Sequence, residues 1–342
     1  MKKDRLQQSA LLASGRGPSL GGPLRLRDEG SFFVNGRVLT TQWPNVPNSG
    51  MDAPGHTTVE QMYVQYRIPE TPNGLPPLVM VHGSNHTGAT WETTPDGREG
   101  WATWFARQGF SVYVVDHSGR GRSGFAASRI NRARGEAQAA DIAVPVATHE
   151  RAWINFRIGP GYLQAFADTQ FPYQHFAAYS AQLVPNTEVT LEAGGAATVA
   201  ALVALLDDIG PAIVMVHSQS GAYGMDVVRR RAERVSALVN IEGDMAPVTA
   251  EEIATRFVRV PLLSLWGDHS VGAPGRNGDV RRNGCLDTVN AIAAAGGRAR
   301  FLLLPEAGLA GNSHMLMMDR NNSEVAEQVV RWLRENLEPA RP

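Results

Sequence analysis

The sequence has one cysteine, almost no net charge and no long apolar run. Cys285 is alone among 342 residues, which excludes an internal disulfide and a cysteine-based metal site. The 32 Lys and Arg residues nearly balance the 33 Asp and Glu residues, so nothing in the charge indicates a nucleic-acid partner. No stretch of about 18 apolar residues is present, so we expect no membrane span. The composition is that of an ordinary globular enzyme.

The first residues do not resemble a secretory signal. The apolar stretch Ala10–Ala13 is much shorter than a signal-peptide core, which has about 7–15 apolar residues. A mature secreted form, numbered after cleavage, would look the same. We therefore expect a cytoplasmic location, with a periplasmic or secreted location as the alternative.

The chain begins with a different composition from the rest. Residues 1–30 are rich in Gly, Ser and Arg, which predicts a flexible lead-in. Strand-like and helix-like segments then alternate, which predicts an α/β fold with a mostly parallel central sheet flanked by helices. The expected strands are Ser31–Val38, Thr58–Ile68, Leu78–Val81, Ser111–Val115, Ile213–Val216, Ala237–Ile241, Leu262–Trp266 and Phe301–Leu304. The expected helices are Gly100–Gln108, Leu191–Leu206, Gly221–Ala232, Asp287–Ala295 and Ser323–Leu337.

The interval 125–188 interrupts this alternation. Loops of such length usually have a function, and residues 153–179 include eight aromatic side chains. We expect the interval to form a cap over the strand ends, inserted into a core made of residues 31–124 and 189–342. The alternative is a packing subdomain without a ligand-binding role.

A His-Gly dipeptide follows the expected strand Leu78–Val81. The loop after such a strand can direct a backbone N–H at a developing oxyanion. Gly83 allows the unusual backbone angles that this turn needs, and Ser84 would supply the amide. A plain strand-to-loop turn would contain the same dipeptide.

A glycine-rich loop, Asp116–Ser123, follows the strand Ser111–Val115. Together with Gly124 it formally satisfies the dinucleotide fingerprint G-x-G-x-x-G. That fingerprint is meaningful only where a helix opens at the glycines within a compact βαβ unit. The long interval follows here instead, so we interpret the loop as a tight turn and expect no nucleotide cofactor.

Two serines, Ser218 and Ser220, lie between an apolar strand and a plausible helix. A nucleophile elbow needs small residues two positions to either side of its serine, and neither serine fits this pattern cleanly. The strand register favours Ser218, because Gly221 then begins a closely packed helix. The amide of Gln219 would be the second oxyanion donor, helped by the helix N-terminus. The alternative is that both serines only cap the helix.

A base and an acid are needed to activate such a serine. His314 follows the last expected strand, which matches the chain order serine, acid, histidine; His269 is the alternative base. Glu242 and Asp268 both end strands between the serine and the histidine. The usual G-x-x-D spacing puts Asp268 off register, and a carboxylate on a buried strand needs a partner, which favours Glu242.

Taken together, these motifs resemble the α/β-hydrolase superfamily over residues 31–338. In detail the chain is similar to a branch of atypical bacterial esterases that has a His-Ser-Gln-Ser-Gly elbow and a Glu acid after strand six. His217–Gly221 matches this elbow, and Thr90–Arg98 is also similar. The resemblance implies the triad Ser218, His314 and Glu242. Where that branch has adjacent cysteines after His-Gly, this chain has Ser84 and an asparagine, so its pocket is expected to differ.

The expected activity is hydrolysis of small to medium apolar carboxylic esters through an acyl-enzyme, with no cofactor and no metal. Trp91, Trp153 and Phe156 are the expected pocket residues. The sequence leaves open a related acyl bond (lactone, amide or thioester) and a non-catalytic homologue that only binds a ligand. It also leaves a homodimer open.

Overall fold

The computed structural model describes residues 22–46, 48–50, 54–138, 142–273 and 277–337. The strands are Leu26–Val34, Arg37–Thr41, Gly55–Val59, Met62–Pro69, Leu78–Val81, Val112–Val115, Ala212–His217, Val235–Ile241, Leu262–Trp266 and Ala299–Leu303, numbered β1 to β10. Eight of them form the central sheet, in the order β1-β4-β6-β5-β7-β8-β9-β10. β4 pairs antiparallel with β1 and β6, and every other neighbouring pair is parallel. β2 and β3 form a separate antiparallel pair.

Helices cover both faces of this sheet. The helices are Trp101–Arg107, Ser128–Gly135, His149–Asn155, Phe176–Ser180, Gly195–Ile209, Ser220–Arg231, Ala250–Thr255, Asp279–Ala294 and Asn322–Asn336, numbered α1 to α9. In β5, Leu78 and Met80 belong to a hydrophobic cluster that includes α1 and α9. Val79 and Val81 point into a second cluster, which includes α5 and α6. β5, β7 and β9 are buried on both faces, and their residues are apolar except for His217 in β7 and Ser264 in β9. The expected mostly parallel sheet flanked by helices is confirmed.

The antiparallel entry differs from the sequence prediction. The expected strand Ser31–Val38 is divided into β1 and β2 by Asn35 and Gly36, which have φ angles of 57° and 104°. Such left-handed angles turn the chain. β1 already begins at Leu26 because it pairs with β4, so the last five residues of the expected lead-in belong to the sheet. Residues 1–21 of that lead-in lie outside the described part of the chain.

Two helices also differ from their predicted bounds. The expected helix Asp287–Ala295 is the end of the longer α8, which begins at Asp279. Its first two turns are polar, so the apolar pattern did not reveal them. α5 begins at Gly195 rather than at Leu191. The early start of α8 is important for the site, because Arg281 is on its first turn.

Candidate active site

The turn between β7 and α6 has the geometry of a nucleophile elbow. Ser218 has a φ angle of 54°, a left-handed conformation that costs a non-glycine residue about 1–3 kcal/mol. Its carbonyl oxygen accepts hydrogen bonds from the amides of Gly221 and Asp244 at 3.0 and 2.8 Å. A Cβ on Gly221 would lie 2.4 Å from the Asp244 nitrogen, so only glycine fits there. The local packing therefore holds Ser218 in its strained conformation.

The two serines of this turn have different surroundings. The Oγ of Ser218 lies 2.9 Å from Nε2 of His314. Ser220 is fully buried, donates to the carbonyl oxygen of His82, and lies 2.7 Å from Nε2 of His117. The structure thus brings Ser218 to His314 and leaves Ser220 bonded beneath the turn.

Glu242 completes a line of side chains with His314. Its Oε2 lies 2.5 Å from Nδ1 of His314. Its Oε1 accepts the amide of Gly267 at 2.6 Å and a hydrogen bond from Arg157. Glu242 directly follows β8 and has a φ angle of 48°. Both carboxylate oxygens therefore have donors, as a fully buried carboxylate requires.

The two alternative residues, Asp268 and His269, have other partners. Asp268 accepts the amides of His269 and Gly311 at 2.7 and 3.0 Å. The ring of His269 stacks on Phe166 at 3.8 Å, and its Nε2 lies 2.9 Å from Asp168. Asp268 thus bonds to the backbone of the loop that carries His314.

Burial and charge set the protonation states of the pair. Burial lowers the pKa of His314 to about 4, although the Glu242 carboxylate opposes this shift. Burial would raise the pKa of Glu242, but Arg157 and His314 outweigh it and lower that pKa to about 2. At neutral pH a neutral imidazole therefore faces a carboxylate. Because the carboxylate only accepts, Nδ1 carries the proton and Nε2 is the acceptor.

Two arginines at this site were not recognised from the sequence. Nη1 of Arg281 lies 3.3 Å from Oγ of Ser218. A guanidinium has no acceptor atom, so Oγ accepts there and its own proton is directed to His314. Arg157 contacts Glu242 and also donates to the carbonyl oxygens of Asp268 and Asn277 at 2.9 and 2.7 Å. No sequence motif indicated either arginine, because each is brought to the site by contacts with residues that are distant in the sequence.

The His-Gly loop lies directly against the elbow. A Cβ on Gly83 would be 2.8 Å from Cβ of Ser218. The Ser84 carbonyl accepts from Nδ1 of His86 at 2.7 Å, and its Oγ accepts from Asn186 at 2.8 Å. Among the described residues, no acceptor bonds to the amide of Ser84 or Gln219. Both amides are thus available to another oxygen.

The three expected pocket residues have different positions. Phe156 stacks on the His314 ring, with 5.5 Å between centroids and 14° between planes. Trp91 is fully buried, and its ring centroid lies 6.4 Å from that of His217. Trp153 packs on Phe176 at 5.0 Å. All three belong to one hydrophobic cluster, and of the three only Phe156 stacks on the ring of His314. A cavity of about 330 Å³ is lined by Ile154, Arg157, Phe166, Val271 and Asn277 among others, but not by Ser218, His314 or any of these three residues.

One group in the described part of the chain has side-chain atoms close enough to share a metal ion, formed by Asp168, Asp268 and His269. Both Asp268 oxygens already accept backbone amides. Exposed acidic groups of this kind are common without an ion, so we assign no metal to it.

Comparison with known proteins agrees with this architecture. No family model matches the chain. A solved structure of a novel bacterial esterase is 38% identical and has a TM-score of 0.87, over 94% of this chain and 99% of that one. A protein named "Probable secreted lipase phiG", from Fungal sp. (strain ATCC 74256), is 28% identical over 331 residues, 80% of this chain and 85% of that protein.

The fold and the first of these relatives define the class, and the expected α/β-hydrolase fold is confirmed. The chain belongs to the α/β-hydrolase superfamily, in the same family as that bacterial esterase. Within the described ranges, no helix has the length and apolar character to cross a membrane. The expected cytoplasmic location has no support here, and the name of the lipase describes that relative as secreted.

Proposed function

We propose that the chain is a serine carboxylic ester hydrolase that acts through an acyl-enzyme on small to medium apolar esters. The observation that carries the proposal is the hydrogen-bonded line from Ser218 through His314 to Glu242, with links of 2.9 and 2.5 Å. The relatives support the ester chemistry, since one is an esterase and the other is named a lipase.

Acylation begins with attack of Ser218 Oγ on the ester carbonyl carbon. His314 takes the Oγ proton at Nε2, and Glu242 stabilises the resulting imidazolium through Nδ1–H. The amides of Ser84 and Gln219 bind the oxyanion that forms on the carbonyl oxygen. His314 then gives its proton to the alkoxide, so the alcohol leaves and the acyl group stays on Ser218.

Deacylation repeats these steps with water. His314 takes a proton from the attacking water, and the same two amides bind the second oxyanion. The proton returns to Oγ as the carbon–oxygen bond breaks, which releases the acid and restores Ser218. The low pKa of His314, about 4, keeps it unprotonated and ready to act as a base at neutral pH.

We infer that the interval 125–188 is a cap that shapes the substrate site over the core of residues 31–124 and 189–342. Phe156 belongs to this interval and lies on the His314 ring, so it would form the pocket wall, with Trp91 and Trp153 packed behind. A homodimer stays a prediction.

The test is hydrolysis of p-nitrophenyl esters of increasing chain length. We expect Ser218→Ala to lose at least about 10⁴-fold in kcat, because the residual rate then comes from the oxyanion site alone. A fluorophosphonate should label the wild type and not this variant.

Ser220→Ala is the matched control, because it removes a hydroxyl two residues away that bonds to His82 and His117. It should keep the fluorophosphonate label and most of kcat when folded, as judged by thermal unfolding. If Ser220→Ala lost the label and Ser218→Ala kept it, Ser220 rather than Ser218 would be the nucleophile. A wild type that neither hydrolyses esters nor reacts would contradict the proposed function.

A further inference from the structure

A buried ion pair lies beside the elbow and is not part of the triad. Arg120 is in the turn Asp116–Ser123, and Glu188 is at the end of the interval 125–188. Their side chains are 0% and 6% exposed. Nε of Arg120 donates to Oε2 of Glu188 at 3.0 Å, and Nη2 donates to Oε1. Because desolvation offsets much of the attraction within such a pair, it contributes little net stability. Its other contacts indicate its role.

The first of these contacts is to the oxyanion loop. Nη1 of Arg120 donates to the Gly83 carbonyl oxygen at 2.9 Å, and Nδ1 of His82 lies 2.9 Å from the same oxygen. The peptide between Gly83 and Ser84 is planar and trans, so its N–H points opposite to its C=O. By holding the carbonyl, Arg120 therefore fixes the direction of the Ser84 N–H.

The second contact is to Gln219. Its side-chain oxygen accepts from Nη2 of Arg120 at 3.1 Å. Its side-chain nitrogen donates to Oε1 of Glu188 at 3.2 Å and to the Tyr223 hydroxyl at 3.0 Å. Rotating the backbone of Gln219 would break these three bonds, so the same ion pair also restrains the second amide.

We propose that Arg120 and Glu188 are positioning residues that hold both oxyanion donors, the amides of Ser84 and Gln219, in one rigid unit. The inference rests on the proposed function, since it requires an oxyanion at Ser218. Neither residue touches a reacting atom. They act through the pre-organisation of two donors, on which transition-state stabilisation depends.

The test variant is the double substitution Arg120→Met/Glu188→Leu. Removing both charges avoids leaving one of them buried and unpaired. We expect kcat on p-nitrophenyl butyrate to fall about 10- to 1000-fold, the scale of losing an oxyanion donor. KM should change less than about threefold, because these amides contact the oxyanion rather than the ground state. The inhibition constant of butylboronic acid, which becomes tetrahedral on the serine, should rise by the same factor as kcat falls.

Two comparisons separate this role from general stability. Arg229→Met/Glu252→Leu removes another ion pair, 2.7 Å long, at the opposite end of α6, and should change kcat less than about threefold. Arg120→Lys keeps the charge but not the fork of donors, so its kcat should lie between wild type and the double variant.

The outcomes are distinct. A folded double variant with wild-type kcat and boronate affinity, beside an inactive Ser218→Ala, would overturn this inference and leave the proposed function intact. A loss of kcat without a matching loss of boronate affinity would also overturn it, since the effect would not be on the oxyanion. An active Ser218→Ala would overturn both.

Discussion

Glu242 and Asp268 follow neighbouring parallel strands, β8 and β9, yet their carboxylates have different partners. Glu242 is fully buried and bonds to His314 and Arg157. Asp268 is partly exposed and accepts two backbone amides. The left-handed backbone at Glu242 turns the chain directly after β8, where its side chain meets His314. The end of a strand thus makes a carboxylate available, whereas the local turn decides which groups it bonds to.

The largest expected difference is in activity. Glu242→Gln should lower kcat about 10²- to 10⁴-fold, because a neutral amide does not stabilise the imidazolium and presents the wrong group to Nδ1. Asp268→Asn should stay within about tenfold of wild type. Ester hydrolysis at pH 8 measures both, and equal losses would contradict the distinction.

The next effect is on the protonation of His314. Burial is the largest cause that lowers the pKa of His314; Glu242 opposes it, and the charge of Arg157 lowers the pKa further. For Glu242, burial raises the pKa and Arg157 is the first of the groups that lower it. Arg157→Met should therefore raise the pKa of His314, and the acid limb of kcat/KM should move to higher pH by about 1 unit. A pH profile of kcat/KM measures this shift. Asp268→Asn is the matched variant, and an equal shift there would assign the effect to general loosening of the loop.

A smaller effect, on stability, should distinguish Asp268. Asp268→Asn weakens two hydrogen bonds to the loop that carries His314, which we expect to cost about 1–3 kcal/mol of unfolding free energy. Urea unfolding at pH 7.5 measures the loss. Asp208→Asn, at an exposed position of α5, is the control, and an equal cost there would contradict a specific role for the loop.

Buried histidines around the elbow add a pH dependence that the carboxylates do not. Burial lowers the pKa of His82 to about 3 and that of His86 to about 4, and it lowers the pKa of His117 and His217 strongly. Below the unfolded value of 6.5 the unfolded state binds more protons, so stability is complete above that pH and falls towards pH 4. The lowered pKa of Glu242 acts only below about 4.5.

This pH dependence is measured by urea unfolding between pH 7.5 and 5. Each such histidine adds a slope of up to about 1.4 kcal/mol per pH unit. His86→Gln should remove one such contribution, with the exposed His149→Gln as its control. If His86→Gln left the slope of unfolding free energy against pH unchanged, the slope would not come from His86.

The strands and the order of the functional motifs could be predicted because they depend on local patterns. Short, mainly apolar runs indicated β5, β7 and β9, and the elbow directly follows β7. Arg157 and Arg281 could not be predicted in this way. Arg157 lies between Phe156 and Ile158, and Arg281 lies in a mainly polar stretch. Neither context indicates a site residue, because each arginine reaches the site through contacts with residues far along the chain. A surface arginine and a buried one have the same local pattern.

The interval 125–188 contributes to both sides of Ser218, through Arg157 towards Glu242 and through Glu188 towards Arg120. It is therefore not a detachable module. An engineer who exchanged it for the insertion of a relative, in order to change substrate preference, would also remove the arginine that bonds to Glu242 and the carboxylate that bonds to Arg120. Such a chimaera must keep Arg157 and Glu188 at positions from which they contact Glu242 and Arg120. Otherwise we expect its kcat to fall whatever its substrate preference becomes.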